Sequence, residues 1–347
     1  MLHKRNILLT LLTIAFTLCF ISQTFAQVLT IATDPMGTGT YGATAGIAKV
    51  MNENTKYNVK VKPTTGATEI GPLLALGEVE IGVMHNWEAE KCWKVEMHYA
   101  EPLKGLKVAP MRIMMGGPPT FISPVIREDA GIVNIPEDLI GKKCAGYQTG
   151  NASAIFQVRA ALANLGLSED DVDMITVPGL SEAIQMLIDG RAEIAGTSTP
   201  GQAILKELDS KRGCHFLDLK HTPEAIEAYR AIFPASPVVL EPSPDLTGIK
   251  VTTHLFYFED FLIANPESVS DEMAYEMMKA VYENFTELQE LSAELARVKL
   301  ESLVSLGASV PYHPGAVRFY KEIGLWNDEV DALNQKLLAT EEELKNR

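Results

Sequence analysis

Gly37, Gly39 and Gly42 stand in Gly-x-Gly-x-x-Gly spacing within "LTIATDPMGTGTYGATAGIAKVM", between an apolar, strand-like run and an amphipathic, helix-like one. Such a turn can cradle a phosphate, because glycines let the main chain approach an anion at a helix N-terminus. Dinucleotide binding also needs an acidic residue about 20 residues further on, at the end of the next strand, to take the ribose hydroxyls. Here that strand ends "VKVKPTTG", with Lys60, Lys62 and Pro63 and no acid. The fingerprint fails at its second half, so the loop is read as holding something other than a dinucleotide.

Other catalytic chemistry is scarce. No His-Glu-x-x-His, Gly-x-Ser-x-Gly or phosphate-loop Gly-Lys-Ser/Thr occurs. His85, His98, His215, His221, His254 and His313 are scattered without ligand spacing, so neither a metal nor a cofactor is expected. His85 leaves a strand end beside Asn86 and Trp87 and is the histidine expected to reach a cleft, although a satisfied structural role competes with that reading. An enzymatic reading would pair it with Glu88 or Glu69. Cys92, Cys144 and Cys214 are widely spaced and read as small buried residues.

The elements that would position these groups come from comparing the chain with itself. A shift of 113 positions pairs Gly37 with Gly150, Gly66 with Gly179, Thr68 with Ser181, Glu69 with Glu182, Gly77 with Gly190, Glu80 with Glu193 and Ile81 with Ile194, without a gap. Each copy reads as strand, glycine-bearing loop, helix, strand, capped helix, strand. The strands are expected near residues 29–33, 58–62 and 80–84, then 142–147, 173–177 and 193–196; Thr68 and Ser181 are expected as N-caps. Two βαβαβ units predict two α/β lobes with largely parallel sheets. Farther on, residues 268–289 predict one capped helix. The charged segment with Val330, Leu333 and Leu337 predicts an amphipathic helix packed on its own lobe rather than zipped to a second copy.

In open α/β sheets, ligands bind beyond the carboxyl ends of the strands. The loops expected to line a cleft between the lobes therefore carry Gly37, Thr38, Gly39, Thr40 and Tyr41; Gly66, Ala67, Thr68 and Glu69; and Thr149, Asn151, Ala152 and Ser153. The strand exits add His85, Asn86 and Trp87, with Thr197 and Ser198 opposite. Thr40, Tyr41 and Thr68 are expected as donors from the first lobe, facing Asn151, the Ala152 amide and Ser153. Helix-start amides suit a carboxylate without an arginine clamp.

At 347 residues the chain is long enough for two domains of about 150 residues each. Lys4 and Arg5, the apolar run from Ile7 to Ile21 and Thr24-Phe25-Ala26 read as a signal peptide over residues 1–26, implying export to the periplasm. The formal net charge is −15, which makes nucleic acid and anionic membrane poor partners.

The sequence resembles the TAXI-type solute receptors of tripartite ATP-independent periplasmic (TRAP) transporters. The resemblance runs over the mature chain and rests on "LTIATDPMGTGTYGATAGIAKVMNE", "TTGATEIGPLLALGEVEIGVMHN", "GIVNIPEDLIGKKCAGYQTGN", "EMAYEMMKAVYEN" and "VPYHPGAVRFYKEIG". It implies a type II periplasmic-binding-protein fold, with residues 27–117 and 248–347 in lobe 1, residues 118–247 in lobe 2, and hinges near 113–121 and 250–256. It also implies a monomeric, non-enzymatic receptor that closes on a small organic acid, an amino acid such as glutamate or a keto or dicarboxylic acid, and delivers it to a TRAP permease. A sensory module binding a similar solute is the alternative.

Overall fold

The computed structural model describes residues 27–346, so the expected signal segment lies outside the described residues. The first lobe begins with β1 (Val28–Thr33), α1 (Gly39–Asn54), β2 (Asn58–Pro63), α2 (Ala67–Ala75), β3 (Ile81–His85) and α3 (Asn86–Trp93). The long strand β4 (Arg112–Arg127) crosses into the second lobe. There β5 (Lys143–Gln148), α4 (Ser153–Leu165), β6 (Asp173–Val177), α5 (Leu180–Ile188) and β7 (Ile194–Ser198) repeat the first pattern. This lobe is completed by α6 (Ala203–Arg212), β8 (Cys214–Phe216), α7 (Pro223–Arg230) and β9 (Ser236–Leu240). Strand β10 (Thr253–Ala264) returns to the first lobe, where α8 (Asp271–Glu283), α9 (Phe285–Glu290), α10 (Pro314–Glu322) and α11 (Asp328–Lys345) follow.

Strands run in the order β2-β1-β3-β10-β4-β7-β5-β6, with β8 beside β4 and β9 beside β10. The 113-residue repeat survives as register. In the first lobe Thr30 pairs with Lys60 and Ile31 with Ile81; in the second, Lys143 pairs with Asp173 and Cys144 with Ile194. The matched glutamates do matched jobs, since Glu80 Oε2 accepts the Thr30 N–H at 2.7 Å and Glu193 Oε2 accepts the Lys143 N–H at 3.0 Å.

Two local expectations change. Helices α2 and α5 begin before Thr68 and Ser181, with Gly66 and Gly179 as N-caps. Gly66 adopts φ +140°, a region that strains an L side chain. The helix expected over 268–289 is two, because Asn284 leaves helical geometry between α8 and α9. Val330 and Leu344 of α11 are buried in the first-lobe core, with Leu333 and Leu337 against it. Cys92, Cys144 and Cys214 are buried and unbridged.

The crossing strands explain how the lobes are joined. Ile249 and Leu255 pack in one second-lobe core and Phe256 and Phe258 in another, whereas Phe261 to Ala264 pack in the first-lobe core. The passage between lobes therefore lies inside β10, beyond the 250–256 stretch. Its pairing with β4 is regular up to Glu259 opposite Pro119 and slips before Phe261 opposite Gly116. Pro118 and Pro119 have no N–H to donate, so the ladder is interrupted there. The resulting bulge leaves Asp260 outside the regular β4 pairing.

Candidate functional site

The carboxyl ends of β1 and β3 in one lobe and of β5 and β7 in the other converge on a cavity at this bulge. The cavity has a volume of about 80 Å³. Both lobes contribute polar walls: Thr38, Thr40 and Gly66 from the first, Gln148, Asn151 and Gln157 from the second.

Of the residues expected at the site, Thr38, Thr40, Gly66, Ala67, His85, Asn151, Thr197 and Ser198 line this cavity. The others take different places, each for a visible reason. Gly37 is exposed at φ +92°, in the turn leading to α1, and Gly39 is buried so closely against Glu294 that a Cβ would come within 2.5 Å of it. The Tyr41 N–H is capped by Thr38 Oγ1 at 3.2 Å. Glu69 turns back to accept the Thr65 N–H at 3.0 Å. Asn86 Oδ1 accepts the Trp87 N–H and lines a separate groove with Arg230 and Ser236. Trp87 is buried, its ring centroid 5.1 Å from Phe156 and 5.9 Å from Phe233. Thr149 is exposed, with its N–H on Val177 O.

Thr68, Ala152 and Ser153, expected to hold a ligand, hold the lobes to each other. The Ala152 N–H donates to Thr68 Oγ1 at 2.9 Å. The Ser153 N–H donates to Glu88 Oε1 at 3.0 Å, while Ser153 Oγ lies 3.0 Å from His85 Nε2. The amino end of α4, a natural anion site, thus receives a carboxylate from the opposite lobe. The Glu88 side chain is fully buried, and burial alone would raise its pKa; the hydrogen bond with His98 at 2.9 Å and the His98 charge hold it below the ordinary value instead. Glycines permit this approach: a Cβ on Gly66 would stand 2.5 Å from Gly150 O, and one on Gly150 would stand 2.6 Å from Thr65 O.

The strongest electrostatic feature comes from residues outside the expected set. Asp34, at the exit of β1, and Asp260, on β10 opposite the β4 bulge, both line the cavity. Burial pushes Asp260 up to about 7, against the pull of its Thr120 hydrogen bond and with Asp34 repelling its ionised form. Burial likewise pushes Asp34 up to about 6, with Thr40 opposing and Glu88 adding to the rise. His85 is buried and pulled down to about 4 by desolvation, so it is neutral at pH 7. Two buried polar atoms are left over: His85 Nδ1 and Gln148 Nε2 have no hydrogen-bond partner, although both residues line the cavity. Asp34 follows the first strand directly and could have been found by the strand-exit rule, whereas Asp260, Gln148 and Gln157 carry no motif.

The fold resembles that of a binding protein component of an ABC phosphonate transporter from Pseudomonas aeruginosa, at 12% identity over 93% of this chain and 98% of that chain, TM-score 0.49. It also resembles the periplasmic aliphatic sulphonate binding protein of Escherichia coli, at 14% identity over 92% and 88%, TM-score 0.44. A third similar structure is the probable amino-acid ABC transporter extracellular-binding protein of Bacillus subtilis, at 14% identity over 77% and 96%, TM-score 0.45. Residues 31–324 match the model of one family along most of the sequence: the chain belongs to the NMT1-like family.

Proposed function

We propose that this protein is an extracytoplasmic solute receptor that encloses a small organic acid between its two lobes and releases it unchanged to a TRAP-type membrane permease. The observation that carries the reading is a cavity walled by strand exits of both lobes, with the unpartnered Gln148 Nε2 on one side and the start of α2 on the other. A carboxylate gives Gln148 the acceptor it lacks. Gly66 supplies no capping side chain to α2, which leaves that helix end available to the same anion. Closure removes water from these contacts, so each charge-assisted hydrogen bond counts for more than at an exposed surface.

His85 and Glu88 do not form an acid–base pair in this reading. Glu88 is engaged by the Ser153 N–H and His98, and His85 meets the hydroxyl of Ser153. Such a network positions the lobes. Delivery to a TRAP permease, and export by residues 1–26, rest on the TAXI resemblance of the sequence.

The test is thermal stabilisation by a panel of amino, keto and dicarboxylic acids. A receptor shows a concentration-dependent rise in Tm with one class and recovers the compound unaltered. Chemical conversion of a bound compound, or indifference to every class, contradicts the reading.

A further inference from the structure

We propose that the solute carries a protonated nitrogen, held between Asp34 and Asp260 at the hinge side of the cavity, and that a second carboxylate on the solute is excluded. The inference rests on the receptor reading and narrows its substrate class from organic acids in general to amine-bearing monocarboxylic acids.

The charge inventory of the cavity comes first. Its titratable lining residues are Asp34, Asp260 and the buried, neutral His85; among the described residues no lysine or arginine lines it. Glu88 stands close enough to Asp34 and His85 to act on both, and its own partner is His98. A dicarboxylate would bring two negative charges toward two carboxyls with no cation to offset them.

Geometry then gives the polarity of the site. Asp260 sits where Pro118 and Pro119 interrupt the β4–β10 ladder, with the Thr120 hydroxyl already donating to Oδ2. Asp34 lies at the carboxyl end of β1, just before the turn that starts α1. Gln148 belongs to the other lobe, at the end of β5, and its unpartnered Nε2 is a donor. Acceptors for a cation thus sit at Asp34 and Asp260, and donors for an anion at Gln148 and the start of α2, across one small cavity. A short zwitterion satisfies both ends and leaves no buried charge unpaired.

The acids also couple binding to protons. In the empty, closed protein burial and mutual repulsion favour protonated carboxyls; an ammonium favours their ionised form. Protons carried by Asp34 and Asp260 pass to the buffer as the solute enters, with nothing else exchanged.

Calorimetry at pH 6.5 and 8.0, in buffers of different ionisation enthalpy, tests this. The probes are glycine, β-alanine and 4-aminobutyrate as zwitterions, succinate and 2-oxoglutarate as dianions, and putrescine as an amine without carboxylate. At least one zwitterion is expected to bind tenfold or more tightly than either dianion, with proton release larger at pH 6.5 than at 8.0. Asp260→Asn and Asp34→Asn, each checked for native unfolding behaviour, are expected to weaken that zwitterion at least tenfold and to reduce the proton release. Putrescine binding with the zwitterions silent supports the ammonium site and overturns the carboxylate. Preferential binding of succinate or 2-oxoglutarate, undiminished in both variants, overturns the inference and leaves the receptor reading standing. Silence of all three classes counts against the receptor reading itself, and the inference falls with it.

Discussion

The main-chain N–H of Ser153, at the amino end of α4, donates to Glu88 Oε1 at 3.0 Å, so a helix of one lobe starts on a carboxylate of the other. The contact joins α3 of the first lobe to α4 of the second.

Replacing Glu88 by glutamine keeps the shape but removes the charge that the helix end and His98 both engage. Charge-assisted hydrogen bonds of this type contribute about 1.5–3 kcal/mol. The variant is expected to lose that order of stability in urea unfolding, and to show a larger radius of gyration by small-angle scattering as the open form gains population. An unchanged radius and midpoint would show that the latch contributes nothing to closure.

A Cβ at Gly66 would meet Gly150 O at 2.5 Å, a main-chain atom of the opposite lobe, at a φ of +140° that side chains rarely adopt. Gly66→Ala is therefore expected to hold the lobes apart. Solute affinity falls at least tenfold, while the first-lobe core, which Gly66 does not enter, keeps its cooperative unfolding. Wild-type affinity in this variant would place the closed cleft elsewhere.

Trp87 belongs to α3 of the first lobe, yet it packs with Phe156 and Phe233 of the second. Trp93 is buried in the first-lobe core and Trp326 packs against it, so Trp87 is the tryptophan of these three whose surroundings depend on closure. Adding a bound solute is expected to shift tryptophan emission to shorter wavelength, and Trp87→Phe is expected to abolish the shift while leaving affinity within about threefold. A shift that persists in Trp87→Phe contradicts interlobe packing at this residue.

The pH dependence of the empty protein follows from Asp260. Its carboxyl rises from an ordinary 3.8 to about 7 on folding, so its contribution to stability is fully present below pH 4 and lost as pH rises through 7. Asp260→Asn removes that loss. At pH 8 the variant is expected to exceed the wild type by roughly 1–2 kcal/mol, less than the full shift implies at 1.36 kcal/mol per unit because opening hydrates the site; below pH 4 the two converge. His85, pulled down to about 4, acts in the opposite sense and costs both proteins stability as pH falls from 6.5. Asp34, pushed up to about 6, acts in the same sense as Asp260 in both proteins, so the difference between wild type and variant in chemical unfolding between pH 4 and 8 reads Asp260.

How much of this was legible in the sequence differs between scaffold and site. The repeat was legible because βαβαβ register depends on local patterning, and a single offset of 113 carries it from Thr30–Lys60 to Lys143–Asp173. The loops were found by the strand-exit rule, but which side chain turns inward depends on the other lobe: Thr68 and Ala152 find each other across the gap instead of a solute. Asp260 was not legible, since it faces a bulge at two prolines of β4 that lie about 140 residues away in the chain. The stretch "VPYHPGAVRFYKEIG" proves structural. His313 caps α10 and meets Val269 O at 2.9 Å, and a Cβ on Gly315 would overlap Asp271 O at 1.9 Å.

The most direct measurement is a crystal structure of the wild-type chain grown with whichever probe binds in calorimetry. The solute is expected unmodified in the cavity between the lobes, an acceptor atom within hydrogen-bond distance of Gln148 Nε2 and a nitrogen beside Asp34 and Asp260. A solute bound on the outer surface, or present as a chemically altered product, contradicts the account.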